Sequence, residues 1–162
     1  MLEGEDDELI IDRIPPPELH IHEGLTNKTA RELNEEWGDD QFYKWCSRKN
    51  IKMENFHSNQ LNGNACVDVQ EAVEDLESEL TASGRPELLR YSAFLSSFNK
   101  VRKACFGQDL LDSYENDVAE CKEAYVKTGM SITTKAHILF EHVVDFCKKH
   151  GKGLGHFSEQ AG

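Results

Sequence analysis

Apolar residues recur along this chain at the three- and four-residue steps of helices, and no convincing two-residue alternation appears after residue 15. From Glu18 to about Arg48, the spacing of Leu19, Leu25, Leu33, Trp37, Phe42 and Trp45 predicts one helix or two, with an interruption at "WGDD". The turn-rich stretch "NIKMENFHSNQLNGN" follows. Cys66, Val69, Val73, Leu76 and Leu80 then form one apolar stripe along a helix that Asn64 is expected to cap. "TASGRPE" breaks it, and Pro86 suits the first turn of the next helix, where Leu88, Tyr91, Leu95, Phe98, Arg102 and Cys105 keep the spacing until Gly107. Another helix is expected from Asp109 to about Lys127 on Leu111, Tyr114, Val118, Cys121 and Tyr125. The last runs from about Thr133 to His150 and is stopped by Gly151. The pattern predicts an all-α fold, a multi-helix bundle-like domain of successive helical hairpins, with no internal repeat.

Upstream, "EGEDDELIIDRIPPPELHIHEG" opens with an acidic run, passes through Leu9, Ile10, Ile11 and Ile14, and meets three prolines. Proline cannot donate to a ladder or sit inside a helix, so this reads as an extended arm. The expected organisation is an acidic, proline-rich arm over 1–16, a helical domain over 17–150 and a glycine-rich tail over 151–162. The length of 162 residues suits one core, and 38% apolar with 30% charged residues suits a helix-rich globular chain. No stretch approaches the roughly 18 apolar residues of a membrane span, and the amino terminus is acidic where a secretory signal is basic. The expectation is an intracellular protein without a membrane partner. Five cysteines at 46, 66, 105, 121 and 147 contain no C-x-x-C pair and read as reduced core residues.

Charge changes the picture more than composition does. The net charge is −12, and residues 1 to 81 hold 20 acids against 7 bases while residues 82 to 162 hold 10 against 11. An acidic surface repels phosphate backbones, so any DNA contact belongs to the second half, where Lys100, Arg102, Lys103, Lys148, Lys149 and Lys152 are the candidates. Charge pattern alone favours reading the same residues as a solvated helix face. In the acidic half, Glu35, Glu36, Asp39 and Asp40 suit a basic protein partner.

The stripe over 66–80 covers only about two heptads, so it reads as core rather than a dimer seam. "GKGLG" at 151–155 follows no strand and precedes no Lys-Ser/Thr pair, which leaves a helix cap and tight turn rather than a phosphate loop. His137 and His142 lie five apart, about 140° around an ideal helix, whereas chelation from one face wants a spacing of about four. On spacing alone they make no good site, and zinc would need further ligands, typically two thiolates.

The stretches "IPPPELHIHEGLTNK", "ACFGQDLLDSYENDVAECKEAYVKTGMSITTKAH" and "TKAHILFEHVVDFCKKHGKGLGHFSEQAG" resemble the carboxy-terminal part of invertebrate DDE-type DNA transposases, distantly similar to the catalytic subunit of the V(D)J recombinase. The resemblance covers roughly residues 12 to 162. Its most specific part is K-x-H-x4-H followed by G-x-G and S-E.

In that family a ribonuclease-H-like sheet supplies two aspartates and a helix beyond a long helical insertion supplies a glutamate. The three acids hold two Mg²⁺ or Mn²⁺ ions for in-line attack on a phosphodiester. The resemblance implies that this chain is the insertion, whose tail approaches the glutamate helix. Glu159 is the candidate third acid, although family members tend to continue with another Glu at what would be position 163. Asp6, Asp7 and Asp12 lie in an arm with no sheet around it, so no strand-borne aspartate pair is identified. The resemblance also makes His137 and His142 zinc ligands, paired in the relative with an upstream C-x-x-C that is absent here. The resulting expectation is a non-catalytic helical fragment of a DDE transposase, nuclear, packing on the rest of the transposase core and contacting DNA ends or subunits. The alternative is a domesticated helical module for protein–protein interaction with a basic partner. An active nuclease acting through Glu159 is disfavoured, because its two partner acids are not evident.

Overall fold

The computed structural model describes residues 18–53 and 60–155. The acidic arm and Glu159 lie outside the described residues. Among the described residues every regular element is helical. In chain order these are α1 (Glu18–Trp37), α2 (Gln41–Arg48), α3 (Gly63–Glu71), α4 (Val73–Ala82), a 3₁₀ turn at Pro86–Leu88, and α5 (Leu89–Val101). A π turn at Arg102–Phe106 follows, then α6 (Tyr114–Thr128), α7 (Thr134–His137), a second π turn at Ile138–His142, and α8 (Val143–His150). The all-α expectation holds, and most of the expected boundaries lie close to these.

The expected "WGDD" interruption is present, and three departures follow it. The "WGDD" interruption is a full reversal, with Gly38, Asp39 and Asp40 all at positive φ. Non-glycine residues adopt that region only with help, and the Asn34 side chain supplies it. Its Oδ1 accepts from the Phe42 amide at 3.1 Å, and its Nδ2 donates to Asp40 Oδ1 at 3.1 Å. The start of α2 is therefore capped from the preceding helix. Further on, Asn62 rather than Asn64 caps α3, its Oδ1 accepting from the Ala65 amide at 2.9 Å. The stripe expected as one helix is two, α3 and α4, meeting at Ala72. Finally, α6 begins at Tyr114 rather than Asp109, because the preceding residues fold back: the Leu111 amide donates to Ala104 O at 2.9 Å.

The core centres on α5, whose Phe94, Leu95, Phe98 and Val101 are fully buried. Phe94 meets Tyr125 of α6 edge to face at 5.1 Å, and Tyr125 meets Phe140 at 5.4 Å. Such aromatic pairs contribute about 0.5–1.5 kcal/mol each beyond burial. Polar groups knit the elements where apolar packing cannot. Asn27 of α1 accepts from the Leu61 amide and donates to Leu61 O, both at 2.9 Å, binding the loop before α3 as a neighbouring strand would. Arg90 of α5 makes a two-pronged pair with Glu36 of α1, at 2.7 and 2.9 Å, and its Nε donates to Thr128 O at the end of α6. One side chain thus ties three helices together and satisfies an otherwise open helix-end carbonyl. The Trp45 indole of α2 donates to Asp75 Oδ2 of α4 at 2.8 Å.

Gly151 ends α8 in the left-handed conformation, as expected. The "GKGLG" segment does more than cap. The Gly153 amide donates to Gln108 O and the Gly155 amide to Gly107 O, both at 3.0 Å, so the segment docks on the turn after α5. A Cβ on Gly153 would stand 2.1 Å from Gly107 O, which is why only glycine fits there.

Candidate functional site

The last helical stretch is built in three parts. Thr133 caps α7, its Oγ1 accepting from the Ala136 amide at 3.2 Å. The π turn Ile138–His142 then interrupts the α-helical register before α8 resumes it. A π turn bonds i to i+5 and is wider than an α turn, so residues five apart return to the same face. His137 and His142 therefore stand together, with their Nε2 atoms 3.3 Å apart and ring centroids at 5.0 Å. This corrects the expectation from ideal α-helical geometry that the two rings diverge.

Their surroundings are exposed on the His137 side and half-buried at His142. Glu141, in the same turn, is held by Lys122 of α6 at 2.8 Å. That hydrogen bond and the lysine's charge, followed by the fields of His137 and His142, hold its carboxyl below the usual range. Glu141 is thus committed to Lys122. No group of three or more Cys, His, Asp or Glu side chains able to hold a metal occurs among the described residues.

The pair nonetheless fits half of a zinc site. Two imidazole nitrogens about 2.0–2.1 Å from a tetrahedral zinc stand about 3.3–3.4 Å apart. The observed separation meets that requirement without movement, and in the absence of metal it also suits one ring nitrogen donating to the other. Glu159, the candidate ligand for Mg²⁺ or Mn²⁺, lies outside the described residues.

The cationic candidates fall at two helix ends. Lys100 is exposed on α5, while Arg102 and Lys103, in the first π turn, both reach Glu71 of α3, at 3.0 and 3.3 Å. Arg102 also donates to Asn99 Oδ1 at 2.7 Å. Much of this cluster's charge is therefore compensated. Lys148 and Lys149 end α8, where cations favour the helix dipole, and Lys152 follows in the glycine segment. The docking of Gly153 on Gln108 carries that segment to the turn following Arg102–Phe106, joining regions that the sequence keeps some 45 residues apart. Among the acids, Glu35, Glu36, Asp39 and Asp40 are all exposed, Glu36 paired with Arg90 and Asp40 accepting from Asn34.

The cysteines bear out the core reading, as all five are buried. Burial pushes the Cys46, Cys66 and Cys121 thiols up to about 12. Cys105 and Cys147 lie side by side, and the Cys105 thiol donates to Val101 O at 3.5 Å. The contact between the two thiols holds Cys105 far above its ordinary value and Cys147 below it.

No protein-family model matches the chain, and neither a curated protein nor a solved structure shows significant similarity to it. Among the described residues no helix is long and apolar enough to cross a membrane.

Proposed function

We propose that this chain is the helical insertion of a DDE-type transposase, a non-catalytic part that braces the nuclease core and holds a structural zinc ion through His137 and His142. One observation carries the reading: the K-x-H-x4-H spacing coincides with a π turn that aligns both imidazoles at the separation a tetrahedral metal needs. A π turn within a helix recurs at functional sites. Zinc would supply no redox chemistry there. It would tie this helix to thiolates carried elsewhere in a longer protein, as the family resemblance implies. DNA contact falls to the second half, where Arg102 and Lys103 are already paired with Glu71. The associated location is the nucleus.

Calorimetric titration with zinc tests this. The chain alone is expected to bind one zinc weakly, as two ligands of four do, and His137→Ala or His142→Ala each abolishes the binding. Adding the C-x-x-C segment of the longer protein should tighten binding by several orders of magnitude. Zinc uptake indifferent to both histidines would overturn the reading.

A further inference from the structure

A polar cleft of about 230 Å³ lies between α1, the residues just before α3 and the start of α7. His20, Arg31, Gln60 and Lys135 wall it, over Gly24 and Asn27. Lys135 is seated rather than free to sweep. A Cβ on Gly24 would fall 2.4 Å from Lys135 Cδ and 2.9 Å from its Nζ, so the lysine stem lies in the groove that this glycine leaves open. Glycine in the middle of a helix is unfavourable relative to alanine, and here it makes room for a cation.

Neither Lys135 nor Arg31 joins an ion pair among the described residues, although the chain carries a net charge of −12. The cleft's own carboxylate, Glu23, lies against Gly63 at the start of α3, its Oε1 3.1 Å from where a Cβ would stand. The Asn27 amide beneath is fully spent on Glu23 O and on Leu61. The cleft therefore sets two cationic side chains, Lys135 and Arg31, with Gln60 and His20 beside them, against the one carboxylate of Glu23. That balance favours an oxyanion over a cation.

We propose that this cleft binds a phosphate group, with Lys135 and Arg31 as charged donors and Gln60 and His20 completing its surround. The site does not depend on the transposase reading, and it shares no residue with the histidine pair. Two sources supply such a group: a free phosphate or small phosphate ester, and the backbone of a nucleic acid.

The test is a backbone-amide NMR titration of the whole chain with inorganic phosphate, paired with binding of a labelled DNA duplex. The variants are Lys135→Gln, Arg31→Gln and Gly24→Ala, the last displacing the lysine without touching its charge. Lys127→Gln, exposed on α6, is the control. Phosphate should shift amides around Gly24 and Lys135, and each cleft variant should weaken its binding about tenfold, the loss of one charge-assisted contact. The control should change nothing. If phosphate alone shifts these amides and duplex binding ignores the variants, the source is a small phosphorylated ligand. If duplex binding falls in the cleft variants while phosphate alone gives no shift, the source is a nucleic-acid backbone. Absence of both responses, or responses equal in the variants and the parent, overturns the proposal.

Discussion

His22 shows how much one buried side chain reports. It is almost fully enclosed, its Nε2 stands 2.7 Å from Gln70 Oε1, and its ring tilts against Phe98 at 5.7 Å. Burial lowers its pKa below the ordinary 6.5, the bond to Gln70 opposes that shift, and the Arg102 charge reinforces it. The folded chain therefore keeps this imidazole neutral, while the unfolded chain takes up a proton below about pH 6.5. Protons then favour the unfolded state, so the His22 contribution is complete above pH 6.5 and is lost as pH falls from there toward the folded pKa. Urea unfolding at pH 7.5 and pH 5.5 should show lower stability at the acid end, and His22→Gln should flatten the difference. An equal pH dependence in the variant would exclude His22 as its source. Sequence could not mark this residue, because His20 and His22 look alike on the page and only the packing of α1 against α3 and α5 buries the second.

At the scale of elements, helix existence was legible and helix interruption was not. Apolar spacing placed α1, α5, α6 and the last helical stretch, since burying a stripe demands that spacing. The π turns at Arg102–Phe106 and Ile138–His142 leave no comparable trace, and for that reason spacing alone set His137 and His142 apart although the structure brings them together. The phosphate cleft was hidden for a different one. Its walls come from α1 and α7, more than 100 residues apart, although Gly24 within an apolar helical pattern was a visible hint.

Caps illustrate a similar split. Asn62 and Asn27 both serve the start of α3, but only Asn62 does so within its own helix. Removing Asn62 should cost about 1 kcal/mol, the usual worth of a cap. Asn27→Ala strands both the amide and the carbonyl of buried Leu61 and should cost on the order of 3 kcal/mol. Chemical denaturation of the two variants checks the ordering. Equal losses would mean that the Leu61 loop relaxes to find other partners.

Over the whole molecule, the five cysteines form a distributed gauge of integrity. All are buried, on α2, α3, the first π turn, α6 and α8, and three have thiols held near 12 by that burial. Only a thiolate attacks a disulfide reagent at a useful rate, and none can be reached without opening the core. Labelling with an aromatic disulfide should find essentially no fast thiol in the native chain and all five after denaturation. Slow native labelling should proceed at one common rate if the helices open together. A single fast thiol would locate a helix that detaches by itself.

The two bonds from Gly153 and Gly155 back to Gln108 and Gly107 carry a consequence for assembly order. Helices α1 and α2, or α5 and α6, find one another across short connections, at little entropic cost. Closing a loop of about 45 residues is an added ordering cost that grows only slowly with length, yet it yields just two backbone hydrogen bonds and a close glycine contact. Such a closure waits until α6 to α8 have packed. Once made, it brings the beginning and end of that stretch to one spot. A change of length between those points that kept them from meeting would cost both hydrogen bonds.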